Sequence, residues 1–220
     1  MSVPIRVLGL GAGGHAKVVI ETLAGMGGYA VIGLLDPRTE LYGTTVLGVP
    51  VLGGDELLER QYDDGVTHAF IGVGGVGHTR PRRLLYELVR RHRFDIVSVV
   101  HPRAIVSPSA SVGGGATILA GAVVNADARI GENVILNSGA LVEHECVIGN
   151  HVHIAPGALL ASGVTVEDGA HVGLGSCVRQ GVHIGAGAII GAGAAVVANV
   201  EAGVIVAGVP ARVLRPRDGT

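Results

Sequence analysis

The chain has 220 residues, with 16 basic and 18 acidic side chains and a net charge of −2. Only 15% of the residues are charged and 48% are hydrophobic, which excludes a disordered chain. No run rich in Lys and Arg occurs, so nucleic acid and anionic membranes are poor partner candidates. Because 37 residues are glycine and only 3% are aromatic, the core must be built from small aliphatic side chains.

Two features of the sequence bear on location. The first residues lack the layout of a signal peptide, and the two cysteines are too few for a disulfide framework, so a cytoplasmic location fits best. Residues 181–200 carry no Asp, Glu, Lys or Arg, and a stretch of that length could span a bilayer. The segment follows a six-residue period that no helix shares, so we expect no membrane span.

The first hundred residues alternate between strand and helix patterns. The predicted elements are, in chain order, a strand at residues 6–10, a glycine-rich turn at 11–15, a helix at 16–24, a strand at 29–35, a helix at 55–60, a strand at 67–73, a helix at 79–91 and a strand at 95–100. Such alternation indicates parallel βαβ units. We therefore predict a small α/β domain over residues 1–101.

A glycine motif follows the first predicted strand. Gly9, Gly11 and Gly14 have the spacing of a dinucleotide fingerprint, and Asp36 is the acid about twenty residues further on. The glycines let a ligand approach the backbone, and the helix that begins there favours a phosphate. The same pattern also marks tight strand-to-helix turns that bind nothing, so the motif alone leaves both interpretations open.

From residue 106 to residue 196 every sixth residue is aliphatic, sixteen times in one register, and a small or β-branched residue precedes each by two. Positions two apart on a strand face the same side, so both point inward. Three such strands close a triangular coil of eighteen residues, and a hexapeptide repeat is a signature of the parallel β-helix. We predict a β-helix of about five coils over residues 102–220. We expect the Gly or Asn that often follows the aliphatic residue, as at Gly113 and Asn125, to adopt the positive φ of a tight corner.

Four stretches resemble the bacterial sugar acyltransferase family, which includes sialic acid O-acetyltransferases and N-acetyltransferases of nucleotide-linked amino sugars. They are GAGGHAK at residues 11–17, IGVG at 71–74 with Arg80 after it, VEHEC at 142–146 and GVPAR at 208–212. The resemblance covers nearly the whole chain. It implies a Rossmann-like βαβ domain joined to a left-handed parallel β-helix, and a homotrimer with active sites between subunits.

The resemblance also implies roles for particular residues. His144 corresponds to the catalytic base of the family and Glu145 to the acid that orients it. Acetyl-CoA is the implied co-substrate, and no metal is implied. The implied coenzyme A contacts are His153, which lies near the acetyl thioester, Ser162, Gly163, Leu174, Gly175 and Arg212. The implied contacts of the nucleotide sugar are Gly13, His15, Asp36, Gly74 and Arg80.

The chemistry of acetyl transfer needs residues of these types. An amine must be neutral to attack a thioester, and a histidine with a pKa near 6.5 can accept its proton at neutral pH. A carboxylate at the other ring nitrogen fixes the tautomer. The preferred hypothesis is an N-acetyltransferase that acts on the 4-amino group of a UDP- or GDP-linked 4-amino-4,6-dideoxy sugar such as perosamine. The alternative is O-acetylation of sialic acid or of another sugar hydroxyl.

Other interpretations stay open at this point. Cys146 lies at an inward small position of the repeat, so we interpret it as a core thiol rather than a nucleophile. His153 and His171 are eighteen residues apart and stack on adjacent coils, where we expect solvated or interface histidines rather than a metal site. A metal-dependent hydratase would need three histidines on zinc and would lose activity with a chelator. A binding module without catalysis would be unaffected by replacement of His144.

Overall fold

The structure is a computed structural model that describes residues 3–216, and its contacts divide the chain into two compact units. Unit 1 comprises residues 3–74 and 81–102. Unit 2 comprises residues 75–80 and 103–216. The short segment 75–80 thus packs with the second unit, although residues on both sides of it belong to the first.

Unit 1 is an α/β domain, as the alternation of patterns predicts. Its elements are β1 (Ile5–Leu10), α1 (Gly14–Met26), β2 (Tyr29–Leu35), β3 (Thr45–Val46), β4 (Val49–Gly53), α2 (Leu58–Asp63), β5 (His68–Ile71), α3 (Arg80–Arg91), β6 (Asp95–Ile96) and β7 (Val99–Val100). Single 3-10 turns precede β3 and α2, at Thr39–Leu41 and Asp55–Leu57.

The strands β1 to β6 of unit 1 form a sheet in the order β3-β4-β2-β1-β5-β6, and every pair except β3 with β4 is parallel. Neighbouring strand residues face opposite sides, so Val7 packs in a cluster with α1 while Leu8 packs in a cluster with α2 and α3. The chain leaves β1 for β2 on one side and later returns to β5 on the other. Ligands of such sheets bind at the carboxyl ends of the strands where the order reverses.

Two details of unit 1 differ from the sequence prediction. The β3–β4 hairpin was not predicted, because its turn lacks the Asn-Gly or Asp-Gly pair that usually marks one. Leu47 and Gly48 form that turn with φ values of 50° and 80°. The predicted strand over residues 95–100 is two short strands, β6 and β7.

Unit 2 is a parallel β-helix with a two-residue strand every six residues. Its strands are β8 (Ile105–Val106), β9 (Ser111–Val112), β10 (Thr117–Ile118), β11 (Val123–Val124), β12 (Arg129–Ile130), β13 (Ile135–Leu136), β14 (Leu141–Val142), β15 (Val147–Ile148), β16 (His153–Ile154), β17 (Leu159–Leu160), β18 (Thr165–Val166), β19 (His171–Val172), β20 (Cys177–Val178), β21 (His183–Ile184), β22 (Ile189–Ile190), β23 (Ala195–Val196), β24 (Val204–Ala207) and β25 (Arg212–Pro216).

The strands stack into three faces. The first face is β8-β11-β14-β17-β20-β23, the second is β9-β12-β15-β18-β21, and the third runs from β10 through β13, β16, β19, β22 and β24 to β25. From β8 to β23, each strand of a face pairs in parallel with the strand eighteen residues later, as Val124 pairs with Val142. The last coil is shorter, and Ile189 of β22 pairs with Ile205 of β24. The aliphatic residue of each strand points inward, so Val142, Leu160 and Val166 are fully buried. Only β25 is antiparallel to its neighbour.

The expected place of the positive-φ corners is wrong. The residue that adopts a left-handed φ lies three positions after the aliphatic residue, as at Gly157 (φ 64°) and Gly175 (φ 63°). The glycine directly after the aliphatic residue is needed for a different reason. A Cβ at Gly131 would lie 2.7 Å from the carbonyl carbon of Gly149, so the backbone of the next coil leaves no room for a side chain.

None of the helices in residues 3–216 is long and apolar enough to cross a membrane.

These two glycine environments predict different costs for the same substitution. Gly131→Ala forces a Cβ against backbone atoms and should lower the free energy of unfolding by about 3 kcal/mol, as expected for overpacking without room to relax. Gly139→Ala meets no atom within 4 Å and has only the left-handed φ of 67° to accommodate, which costs about 1 kcal/mol. Thermal unfolding of both variants at equal concentration compares the costs, and an equal loss would contradict the assignment.

Candidate active site

A histidine and a glutamate form a hydrogen-bonded pair at the corner between β14 and β15. The Nδ1 atom of His144 lies 3.0 Å from Oε2 of Glu145. A carboxylate accepts, so Nδ1 carries the hydrogen and Nε2 is left to accept a proton. The two side chains are 51% and 68% exposed, so a ligand can reach them. The arrangement is that of a general base with a partner that fixes its tautomer.

The backbone at Glu145 is unusual for its residue type. Glu145 has a φ of 61°; the same corner is occupied by Asp127, with a φ of 57°, in the preceding coil and by Gly163 and Gly181 in the next two. A non-glycine residue in this conformation costs about 1 kcal/mol. A carboxylate therefore stands at a position where the fold alone favours glycine.

Two of the implied coenzyme A contacts lie beside this pair. The N–H of Gly163 donates to the carbonyl oxygen of His144 at 3.0 Å, so Ser162 and Gly163 occupy the same corner one coil further along. Leu174 and Gly175 lie at a different corner, between β19 and β20, where Leu174 is 57% exposed.

Arg212 is exposed and begins β25. Unit 2 thus brings Ser162 and Gly163 to the His144 corner, but not Leu174, Gly175 or Arg212.

Cys146 follows the pair but has a different environment. Its side chain is fully buried, and its Sγ donates to the carbonyl oxygen of Ala161 at 3.2 Å. Burial raises the pKa of the Cys146 thiol above its usual value. Because the thiolate is the nucleophilic form, this environment disfavours reactivity. The burial agrees with the interpretation of Cys146 as a core thiol.

The stacked histidines of the third face are buried rather than solvated. His153 and His171 are paired across adjacent coils with ring centroids 4.9 Å apart, and they are 3% and 7% exposed. Of the two expected alternatives, solvated or interface histidines, burial contradicts the solvated one. The segment 75–80 packs on His153, whose Nδ1 lies 3.0 Å from the carbonyl oxygen of Gly75. Across residues 3–216, no group of three or more His, Cys, Asp or Glu side chains is placed to hold a metal ion.

In unit 1, glycines open the backbone at the carboxyl end of β1. The N–H of Gly11 donates to the carbonyl oxygen of Leu35 at 2.7 Å, and the N–H of Gly72 donates to that of Leu10 at 2.7 Å. A Cβ at Gly11 would lie 2.7 Å from Val73, so the turn must be glycine. Gly13, which precedes α1, has open space where a Cβ would stand. A ligand can therefore approach the first turn of α1 closely.

Asp36 fixes this turn from the end of β2. Its Oδ2 accepts from the N–H of Ala12 at 2.8 Å, and its two oxygens accept from the Arg38 side chain at 2.8 and 2.9 Å. The hydrogen bond with Arg38 outweighs burial and lowers the pKa of Asp36 to about 2. Both oxygens of the buried carboxylate are thus already engaged by the protein.

The structure also places the other implied substrate contacts. His15 is half-buried in the first turn of α1, and a Cβ at Gly74 would lie 3.9 Å from it. Gly13, His15, Asp36 and Gly74 therefore all lie at the carboxyl edge of the unit 1 sheet. Arg80 is exposed, begins α3 and belongs to the segment 75–80.

One structural residue at this edge was missed. Arg82 is 2% exposed, and its guanidinium donates to the carbonyl oxygens of Ile71 and Val73 at 2.8 and 2.9 Å. Burial lowers the pKa of Arg82 to about 9, so the group stays protonated at neutral pH. It holds the end of β5 where the glycine loop begins. In the sequence nothing distinguishes Arg82 from the exposed Arg80 and Arg83.

The Asp36–Arg38 pair predicts a pH-dependent contribution to stability. Because folding lowers the pKa of Asp36 from 3.8 to about 2, the stabilisation is present above the unfolded value and is lost as the pH falls through the folded one. Arg38→Gln should therefore differ from wild type most above pH 4 and progressively less toward pH 2, in urea unfolding at a series of pH values. Arg60→Gln, which removes an exposed pair, is the matched control. A difference independent of pH would refute the assignment.

Comparisons with known proteins agree with this architecture. Residues 6–89 match the PglD N-terminal domain family, and residues 127–162 match six repeats of the bacterial transferase hexapeptide family. No curated protein sequence matches the chain.

Among solved structures, PerB from Caulobacter crescentus in complex with CoA and GDP-perosamine is 41% identical, with a TM-score of 0.88 over 94% of this chain and 96% of that chain. A variant of GDP-perosamine N-acetyl transferase from the same bacterium, with the same two ligands, is 40% identical, with the same TM-score and coverage. The acetyltransferase domain of PglB from Neisseria gonorrhoeae FA1090 is 38% identical, with a TM-score of 0.89 over 96% of this chain and 100% of that domain.

These likenesses extend over nearly the whole chain rather than over one unit. The predicted fold class, an N-terminal α/β domain with a left-handed parallel β-helix, is confirmed. Identity of this level and coverage, with the hexapeptide repeat, shows that the chain belongs to the bacterial sugar acyltransferase family and is an acetyltransferase.

Proposed function

We propose that the chain is an acetyl-CoA-dependent N-acetyltransferase that acts on the 4-amino group of a nucleotide-linked 4-amino-4,6-dideoxy sugar of the perosamine type. The observation that carries the proposal is the exposed His144–Glu145 pair, in a chain 41% identical to a structure bound to CoA and GDP-perosamine. A base with a fixed tautomer is what transfer to an amine requires.

The reaction proceeds by direct attack in a ternary complex. The neutral amine nitrogen attacks the carbonyl carbon of the acetyl thioester, and Nε2 of His144 accepts the proton that the nitrogen loses. Glu145 stabilises the imidazolium through Nδ1, and a backbone N–H at a coil corner stabilises the oxyanion. The tetrahedral intermediate collapses with cleavage of the C–S bond. The proton on His144 then passes to the leaving thiolate, which gives the amide and free coenzyme A.

The acyl donor binds on the coils beyond His144. Ser162 and Gly163 occupy the same corner as His144 and lie next to the acetyl group in the proposal. Leu174 and Gly175 belong to another corner, and Arg212 belongs to the terminal strand, so one chain does not gather all the donor contacts. We propose that a second copy supplies the missing ones, as in a homotrimer.

The first face supports this assembly. Its outward residues are apolar in every coil, and Ile105 and Leu159 on it are 65% and 41% exposed. A continuous apolar strip of this kind marks a protein–protein contact rather than a solvated surface. Sedimentation equilibrium should give three times the mass of 22.2 kDa.

The nucleotide sugar binds at the carboxyl edge of unit 1. Gly13 and Gly74 allow close approach of the diphosphate to the backbone, and His15 and Arg80 contact the ligand. Asp36 acts by holding the turn, since Ala12 and Arg38 already occupy its oxygens. This assignment rests on the open backbone at Gly13 and on the switch of strand order at β1.

The proposal is tested by thiol release from acetyl-CoA with GDP-perosamine, with UDP-linked 4-amino-4,6-dideoxy sugars and with free sialic acid. The expected result is thiol release with an amino-sugar nucleotide, at a rate that decreases as the pH falls below the pKa of the acceptor amine. Release with sialic acid alone would show that the acceptor is a hydroxyl and not an amine. No release with any of them would reject the proposed acceptors.

Two single variants separate the base from the neighbouring thiol. His144→Asn removes the proton acceptor and should lower kcat by about 100-fold or more. Cys146→Ala removes a buried, protonated thiol and should leave kcat close to the wild-type value. Steady-state kinetics on both proteins, with circular dichroism to verify the fold, decides the roles. Loss of activity in Cys146→Ala with the fold intact would point to a thiol nucleophile instead.

A further inference from the structure

A polar groove lies on unit 2 next to the His144–Glu145 pair. It has a volume of about 540 Å³, which is within the range of small-molecule sites. All of the residues that line it belong to unit 2, and they are Ser109, Ser111, Asp127, Arg129, Glu145 and Val147. Of these six, Glu145 alone has a role in the proposed function. The other five are open to a role of their own.

One row of lining residues stacks at the corner where Glu145 lies. Asp127 occupies this corner one coil before Glu145, and its N–H donates to the hydroxyl of Ser109, in the coil before that, at 3.0 Å. Gly163, an implied contact of the acyl donor, occupies the same corner one coil after Glu145. The groove and the donor corner therefore lie on opposite sides of His144 along the stack of coils.

A second row of lining residues lies on the second face. Ser111, Arg129 and Val147 stand on β9, β12 and β15, pair with one another in register and are exposed. Successive coils thus present a hydroxyl, a guanidinium and an apolar group to the groove.

Two charged side chains of the groove are open to a ligand. Asp127 and Arg129 are exposed, and within residues 3–216 neither the carboxylate nor the guanidinium takes part in a hydrogen bond or an ion pair. Glu145, in contrast, is hydrogen-bonded to His144. An ionised carboxylate only accepts and a guanidinium only donates. The groove therefore offers an acceptor and a donor that are two residues apart in the chain.

The charges of the groove decide which part of the reactants suits it. Asp127 and Glu145 are negative and Arg129 is positive, so the groove has a net negative charge that disfavours a diphosphate or the phosphates of coenzyme A. A hydroxyl is uncharged, and it can donate to a carboxylate or accept from a guanidinium. Hydrogen bonds of this kind to charged groups are stronger than those between neutral groups. The groove therefore suits an uncharged ligand that carries hydroxyls.

The pyranose of the proposed acceptor carries the matching groups. In a 4-amino-4,6-dideoxy sugar that is linked to its nucleotide through C1, the free hydroxyls are on C2 and C3, and C5 carries a methyl group. When the C4 amine reaches His144, the C3 hydroxyl lies on one side of the reacting nitrogen and the methyl group on the other. Asp127 and Arg129 match the hydroxyls, and Val147, which is 39% exposed, matches the methyl group.

We propose that this groove holds the pyranose of the acceptor, and that Asp127 and Arg129 determine specificity by binding its C3 and C2 hydroxyls. Asp127 shares a corner with the catalytic pair, so it takes the C3 hydroxyl, which is next to the reacting amine. Arg129 donates to the C2 hydroxyl. The inference rests on the proposed function, because it concerns the sugar that the enzyme acetylates. It adds that the enzyme selects its acceptor by two hydroxyls as well as by the amine.

The test is steady-state kinetics with GDP-perosamine and with its analogue that has hydrogen in place of the C3 hydroxyl. Asp127→Gly should raise the KM for GDP-perosamine about tenfold, the effect of one lost hydrogen bond to a charged group. The kcat and the KM for acetyl-CoA should stay at the wild-type values. With the C3 analogue, the variant and wild type should have equal KM values, because the hydroxyl that Asp127 binds is absent from both reactions.

A second variant and two controls complete the design. Arg129→Gln should raise the KM for GDP-perosamine and match wild type with the analogue that lacks the C2 hydroxyl. Asp63→Ala and Arg91→Gln remove an exposed carboxylate and an exposed guanidinium of unit 1, and neither should change any KM. Thermal unfolding verifies the fold, and Asp127→Gly should unfold no earlier than wild type, because a φ of 57° favours glycine.

Four outcomes would overturn the proposal while the proposed function stands. They are an unchanged KM for GDP-perosamine in both groove variants, an equal rise of the KM for GDP-perosamine and for the analogue, and a lower kcat with an unchanged KM in Asp127→Gly, which would place Asp127 with the base. The fourth is a smaller mass of either variant in sedimentation equilibrium, which would show that a second copy covers the groove. A wild-type enzyme that acetylates no nucleotide-linked amino sugar removes the proposed function itself, and the groove proposal with it.

Discussion

The ladder of backbone hydrogen bonds between successive coils is the interaction on which the rest of unit 2 depends. Each strand donates to the next coil, as the N–H of Ile135 donates to Val152 and that of His153 donates to Ala170. The ladder uses backbone atoms only, and the inward aliphatic residues supply the core. Outward and corner side chains are therefore free to differ from coil to coil. The fold needs no histidine at residue 144, and its corner favours glycine at residue 145.

Unit 1 meets a different constraint, because the turn after β1 is built mostly of glycine. The glycines after β1 have no side chains, so the backbone of this turn is more flexible than that of other residues. Asp36 and Arg82 make this edge rigid again. The Asp36 carboxylate accepts from the N–H of Ala12 in the turn, and the buried Arg82 guanidinium donates to the carbonyl oxygens at the end of β5. Two buried charges thus hold the carboxyl edge of the unit 1 sheet in place.

The sequence predicts the parts of this molecule that repeat or that lie next to each other in the chain. The six-residue period predicts the β-helix because every coil obeys the same inward pattern. The His144–Glu145 pair is adjacent in sequence, so its geometry follows from one corner. The contact of Gly75 with His153 joins residues 78 apart and has no periodic signal. The burial of Arg82 also has no signal in the sequence, because the nearby Arg80 and Arg83 are of the same residue type and are exposed.

The position of the left-handed corners shows why pattern alone misleads. Glycine occurs both after the aliphatic residue and two positions later, and only the structure separates a glycine needed for φ from one needed for space. At Gly131 the backbone of the next coil leaves no room for a Cβ, whereas Gly139 is needed because it adopts a φ of 67°. Glu145 occupies the second kind of position, where a side chain is costly but has room. A side chain can stand there, and none could stand at the first kind of position.

The antiparallel direction of β25 governs how the β-helix ends. A stack of parallel coils exposes a row of unpaired N–H and C=O groups at its last strand, which is a template for another chain. Here β25 pairs with β24, and the new edge carries Arg212 and Arg215. Charged residues and proline are the usual means by which edge strands resist further pairing. The terminal strand therefore keeps one prism from growing end to end into a fibre.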